Sequence, residues 1–362
     1  MKRPLNRALG KLFLVFLLCI LGFRFPIPSS GNPESRRLET AAATKTDFLA
    51  LSGAALSEGA ASLETSTASA PRRVTIGVYL QNANDVDVKS SSYMMDFYLW
   101  FRWKGEIDPT ETFEFSNLLD TWSMTKTSVY AAPLSLADGT KYQVFHVQGK
   151  FNRKFDLSRY PLDQQDLVVE VEDTRYHTSD LIYIPDTQST NFSRQLRLPG
   201  WEITSCSARS ETSAYESDFG YPESGHLEKY NRFIFELRIN RPAGAYLFRM
   251  LLPIILVLMA GFSTFFYSPQ YVDTRTNIAI TVFLTMVALQ LSVSSNLPEV
   301  GYLRLIDQIF NLGYFVTFLT LLESVIATHL FDTQRLEAAR RLDHWTFFTV
   351  FVLEFFGIVW LI

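Results

Sequence analysis

The stretch Asp273–Ser295, DTRTNIAITVFLTMVALQLSVSS, carries side chains whose spacing could wet the wall of a hole through a membrane. Asn277, Thr281, Leu284, Ala288, Leu291 and Ser295 recur at steps of four and three, so a helix puts them on one face. Asp273, one turn before Asn277, continues that face to an acidic end. The stripe is polar at its start, apolar through Leu284, Ala288 and Leu291, and polar again at Ser295. Ile278, Val282, Met286 and Val293 lie elsewhere and are apolar. One wettable stripe among apolar flanks suits a water-filled conduit, and one helix cannot enclose a conduit, so several copies must surround it. The other reading is a buried bundle helix whose hydroxyls bond their own backbone, as threonine can. The stripe alone does not separate the two.

Other reactive side chains are sparse. Glu323 and Glu354 fall inside apolar runs, where a carboxylate is costly unless paired, hydrated or protonated; each reads equally well as a functional acid or as a neutral one bonded to a neighbouring helix. There is no Gly-rich phosphate loop, no nucleophile motif and no metal-ligand cluster, and His146, His177 and His226 are scattered. No catalytic residue, metal or cofactor is therefore expected. The net charge of −4, with no basic stripe, argues against nucleic acid. Of the two cysteines, Cys19 sits in an N-terminal apolar run, which leaves Cys206 without an intrachain partner.

The elements that must position the stripe follow from composition. The 362 residues are 48% hydrophobic, but the apolar residues crowd after Tyr246, which divides a soluble part from a membrane part. Residues 1–30 read as an export signal, with Lys2, Arg3, Arg7 and Lys11 ahead of the apolar Leu12–Phe23. Residues 31–72, rich in Ala, Ser, Thr and Glu, read as a disordered linker. Residues 73–242 show the rhythm of short strands: Val74–Leu80, Tyr93–Trp103, Tyr142–Phe151, Leu167–Glu172, Leu181–Ile184, Trp201–Ala208 and Asn231–Asn240. In Tyr93–Trp103 one face, Met95, Phe97, Leu99, Phe101 and Trp103, is apolar and predicts core. The other, Met94, Asp96, Tyr98, Trp100 and Arg102, suits a surface that meets another subunit. The pattern predicts an antiparallel, immunoglobulin-like β-sandwich. Residues 243–362 hold four apolar segments: Tyr246–Tyr267 with Pro253 inside it, the striped stretch, Leu305–Leu330 and Trp345–Ile362. Arg335, Arg340 and Arg341 place the 331–344 loop in the cytoplasm, and an even number of crossings then puts the sandwich outside, extracellular or periplasmic.

A sandwich followed by four helices with the second one striped resembles the pentameric ligand-gated ion channels, the Cys-loop receptor family. Tyr160-Pro161-Leu162-Asp163-Gln164-Gln165 resembles the family's aromatic-Pro-aromatic-Asp-x-Gln signature, with Leu162 in place of the usual Phe. The family's bridging cysteines would fall at Arg153 and Leu167, and both are absent, as in prokaryotic members. Pro253 matches the proline of the first helix. Asn296-Leu297-Pro298, Tyr302 and Ile306-Asp307-Gln308 look like the bacterial channels, and the 331–344 loop is too short for the large cytoplasmic domain of animal receptors. The resemblance covers about residues 73–362.

It implies a homopentamer in the plasma or bacterial inner membrane, in contact with lipid, opened by a small-molecule agonist and passing monovalent cations. Asp273 would form the selectivity ring, because summed carboxylate fields draw cations, and the Pro-Ala motif typical of anion-selective relatives is missing there; alone, Asp273 also fits a helix N-cap. Arg275 matches a basic residue that points away from the lumen. Leu284, Ala288 and Leu291 would form an apolar gate, with Leu284 at its centre. Agonist, an amine or an amino acid, would bind between subunits near Arg102, Trp103, Glu172, Arg175, Tyr176, Tyr215, Phe219 and Tyr221. Coupling would run through Asp87, Asp163 and Arg241, an arginine between two acids, to Pro298 and Tyr302. The alternative is a non-conducting receptor or binding module built on the same sandwich.

Overall fold

The computed structural model describes residues 71–217 and 229–362. The expected signal and all but the last two residues of the linker lie outside the described residues, as do Phe219 and Tyr221.

Strands form because the sequence alternates. In β2 (Ser92–Trp103) every second residue from Tyr93 to Trp103 is buried and those between are half-buried. β2 pairs antiparallel with β1 (Arg72–Asp87) on one side and β6 (Lys141–Asn152) on the other. With β4 (Thr125–Ser128) and β8 (Leu181–Pro185) at its edges, this sheet runs β4-β6-β2-β1-β8; β5 (Leu134–Ser135) joins β6 and β9 (Asn191–Phe192) joins β1. The second sheet has the order β10-β11-β7-β3, from β10 (Glu202–Ala214), β11 (Lys229–Asn240), β7 (Gln164–Asp173) and β3 (Phe113–Phe115). Phe97, Phe101 and Phe151 meet Phe233, Phe235 and Leu237 in one core between the sheets. The pairing is not wholly antiparallel: β8 and β9 lie parallel to β1. The chain reaches β8 by crossing over from the other sheet, so no hairpin fixes its direction.

Four helices long and apolar enough to cross a membrane follow the sandwich. They are α1 (Ala243–Phe262), continued by a 3-10 turn Ser263–Phe266, then α2 (Val272–Ser294), α3 (Leu305–Asp332) and α4 (Leu336–Leu361). The last helix begins nine residues before the expected Trp345, so most of the expected 331–344 loop is helical and only residues 333–335 connect α3 to α4. Apolarity marks the part of a helix that suits lipid, whereas Leu336–His344 exposes Glu337, Arg340, Arg341 and His344 beside Leu336 and continues the same helix. Ile254, Leu258, Met286, Ile309, Phe310 and Val350 form the core of the bundle.

Candidate functional site

The orientation of α2 decides where the stripe points. Its buried residues are Arg275, Ala279, Val282 and Met286, at steps of four, three and four, and they pack toward the chain's own helices. Asp273, Asn277, Thr281, Leu284, Ala288, Leu291 and Ser295 are all exposed. The protomer's own helices leave the stripe uncovered. The Thr281 hydroxyl donates to the Asn277 carbonyl at 2.7 Å, so it bonds its own backbone while facing outward. Asp273 sits in the first turn of α2, while the N-cap position is held by Tyr271, which makes no side-chain cap hydrogen bond among the described residues. Its negative charge there suits the helix dipole, and the residue lies on the exposed side of the helix.

Behind the stripe lies an ionic cluster. The Arg275 side chain is completely buried. Its Nη2 donates to Glu323 Oε2 at 2.9 Å and Oε1 at 3.2 Å on α3, and to Asp343 Oδ1 at 2.7 Å on α4. Arg275 Nε and Nη1 find no partner among the described residues. Glu323 is thus paired rather than lone, and Asp343, absent from the sequence expectations, is its companion. Glu354 is buried on α4 with Oε2 unpartnered among the described residues.

Where the sandwich meets the helices, Arg241 Nε donates to Asp163 at 2.6 Å, and both side chains are buried. Gln165 holds the other Asp163 oxygen at 2.7 Å. The expected third member is not there. Asp87 accepts from the Lys89 amide at 2.9 Å and the Ser90 hydroxyl at 2.6 Å, closing its own turn. The Ser90 hydroxyl holds the Asp87 carboxyl below the usual range against the opposing effect of burial, with the Lys89 and Ser90 amides adding to it. The β1–β2 turn touches the helices through Lys89 instead, whose Nζ donates to the Ser295 carbonyl at 3.2 Å. Tyr302 accepts from the Leu157 amide at 2.9 Å, and the first amides of α3, Leu305 and Ile306, donate to the Ser158 and Tyr160 carbonyls at 2.9 and 3.3 Å. Pro298 is half-buried in the same α2–α3 connection. The signature loop, whose Tyr160–Pro161 peptide is cis, therefore rests on the start of α3.

At the other end of the sandwich the expected ligand residues separate. Trp103 is 3% exposed in the core, so the alternation that made it a core residue outranks its proposed contact with ligand. Arg102 is held by Asp186 at 2.7 Å, and Arg175 is exposed. Glu172 is buried and already paired, accepting from Arg232 Nε at 2.8 Å and Tyr215 Oη at 3.2 Å. Arg232 also reaches Glu170 at 3.1 Å and Tyr215 at 3.0 Å, and Tyr215 meets Tyr230 edge to face at 5.8 Å. Tyr176 packs on the sandwich core nearby. Arg232 was missed, although its register directly across from Glu172 follows from pairing Phe233 with Val171. Among the described residues no cluster of His, Cys, Asp and Glu is placed to hold a metal ion.

No protein-family model matches the chain. Among curated proteins it is 24% identical over 282 residues to gamma-aminobutyric acid receptor subunit rho-3 of Homo sapiens, covering 72% of this chain and 58% of the relative. To gamma-aminobutyric acid receptor subunit beta of Lymnaea stagnalis it is 23% identical over 295 residues, covering 72% and 56%. To a proton-gated ion channel of Gloeobacter violaceus it is 22% identical over 279 residues, covering 72% and 74%. The chain thus spans little more than half the length of the two receptor subunits.

Proposed function

We propose that this chain, a homologue of the pentameric ligand-gated ion channels, is the subunit of a five-fold channel opened by a ligand on its extracellular sandwich. The observation that carries this reading is the uncovered stripe of α2. A face with an acidic end, amide and hydroxyl groups, then an apolar band is poorly matched to lipid and well matched to a shared lumen. Five identical copies would turn Asp273 into a carboxylate ring at the cytoplasmic mouth, and that ring supports cation selectivity. The names of the relatives say what two of them bind and what gates a third, not which ion passes.

The agonist region reads as the Glu172–Arg232–Tyr215 group with Tyr176 and Tyr230. Since Arg232 already neutralises Glu172, a ligand amine would share that carboxylate, and a ligand carboxylate would meet the rim of Arg232. An amino acid satisfies both.

The test is current recording from oocytes or liposomes over amines, amino acids and acidic pH, with a sodium chloride gradient across the membrane. We expect ligand-dependent current that reverses near the sodium potential, and Asp273→Asn should move that reversal toward zero. Surface-expressed protein that never conducts would favour a non-conducting receptor. Reversal at the chloride potential would remove Asp273 from the selectivity role.

A further inference from the structure

The edge strand β9 carries a modification signal that the channel reading does not use. Asn191-Phe192-Ser193 sets an asparagine two residues before a serine, with no proline between, which is the acceptor pattern for N-linked oligosaccharide. No other asparagine of the chain stands in that pattern. β9 lies parallel to β1, with Tyr79 beside Asn191 and Leu80 beside Phe192. Leu80 is buried and Phe192 packs against the sandwich core, so alternation turns Tyr79 and Asn191 outward together. Asn191 is exposed, and Tyr79 is 39% exposed. Asn191 Oδ1 accepts from the Phe192 amide at 2.8 Å. Asn191 Nδ2, the atom that such a modification uses, has no hydrogen-bond partner among the described residues. The Ser193 amide donates to the Leu80 carbonyl at 2.8 Å, which pins the third residue of the signal to the same sheet edge. Among the described strands β9 pairs with β1 alone, so a bulky attachment has an open edge to leave by. Tyr79 and residues 191–195 border an open hollow of about 520 Å³, within the size range of small-ligand sites. An aromatic ring there offers a flat apolar face with a polar tip, which suits the C–H face of a sugar ring.

We propose that Asn191 is an N-glycosylation site and that the first sugar attached there lies against the Tyr79 ring. In the reaction Asn191 Nδ2 attacks the anomeric carbon of an oligosaccharide carried on a polyprenyl pyrophosphate. The new carbon–nitrogen bond replaces the carbon–oxygen bond to pyrophosphate, the lipid pyrophosphate leaves, and the amide gives up one proton. The transfer takes place on the non-cytoplasmic side of the secretory membrane, the side on which four crossings put the sandwich.

The test expresses the full chain in oocytes and compares its mobility on a denaturing gel before and after peptide-N-glycosidase. We expect one discrete upward step in assembled protein at the cell surface. The glycosidase should remove it, Asn191→Gln and Ser193→Ala should each abolish it, and Ser193→Thr should keep it. Asp138→Asn in the Asn191→Gln background supplies a control acceptor at the exposed turn Asp138-Gly139-Thr140. Absence of the Asn191 step where the control gives one would overturn the proposal. Absence of both would overturn it too, because the sandwich would then not reach the side where transfer occurs. A step confined to unassembled chains would do the same, because the attachment would then be incompatible with the assembly. The sugar contact is read from heat resistance of the detergent-solubilised assembly. Asn191→Gln should lower the midpoint in the unaltered background and leave it unchanged in Tyr79→Ser; equal effects in both backgrounds would overturn the Tyr79 half. None of these readouts depends on current, so they decide the site whether or not the assembly conducts.

Discussion

Replacing Arg275 by methionine is the most demanding perturbation of the bundle. The arginine is completely buried between Glu323 and Asp343, whose side chains are 2% and 11% exposed. At an effective dielectric of about 20 each contact of this length is worth roughly 5–6 kcal/mol in Coulombic terms, most of it offset by the cost of taking the charges out of water. The net worth of the triad is therefore small, but removing one partner is not. Methionine would leave two acids facing each other without a cation, a loss of about 3–5 kcal/mol. That corresponds to a fall of roughly 140- to 4,000-fold in the ratio of folded to unfolded protein, at tenfold per ~1.4 kcal/mol. The assay is thermal loss of the assembled peak on size exclusion in detergent. The triple replacement Arg275→Met, Glu323→Gln, Asp343→Asn should recover most of the loss, since it leaves no unpaired charge. If Arg275→Met cost no more than the ~0.5 kcal/mol of an ordinary surface change, the cluster would not be the tie between α2, α3 and α4 that its distances describe.

Leu284→Thr puts a hydroxyl in the apolar band of the stripe and should give standing current without ligand; gating indistinguishable from the unaltered protein would remove Leu284 from the gate. Glu114 of β3 stands opposite Glu172 of β7, and burial, then Glu172 and Asp173, raise its carboxyl above the usual range. Its folded form therefore holds the proton more firmly than the unfolded chain does. That contribution is full below the ordinary glutamate value of about 4.3 and is lost as pH rises through the raised folded value. Glu114→Gln should thus melt with the unaltered protein near pH 4 and above it at neutral pH. A Gln variant no more stable at neutral pH would refute the sign.

The two-layer sandwich and the four helices were legible because each rests on a period: two in Tyr93–Trp103, and long apolar runs after Tyr246. The exposed face of α2 was legible for the same reason, since steps of four and three fix which residues share a side whatever surrounds them. Partnerships across the fold were not. Asp343 lay in a segment read as loop because it is polar, yet Ala339, Asp343, Val350 and Glu354 keep helical spacing and are all buried. Asp87 was assigned to Arg241 by resemblance, but the Ser90 hydroxyl and the Lys89 amide are two or three residues away and capture it first. Trp103 carried two expectations, core by alternation and ligand contact by resemblance, and only the first matches where its ring lies. Arg232 has no periodic signature, because its pairing with Glu172 depends on register between strands distant in sequence.

The seating of the signature loop on α3 is made by main-chain groups, the amides of Leu305 and Ile306 and the carbonyls of Ser158 and Tyr160. Such a hinge pin is blind to which amino acids carry it. Residues 158, 160, 305 and 306 can drift in identity while the joint persists, and Leu162, in place of the aromatic of the signature that this loop resembles, is compatible with an intact seat. Proline is the exception: placed at 306, it would withdraw one of the two donors and loosen the joint without altering a single charge.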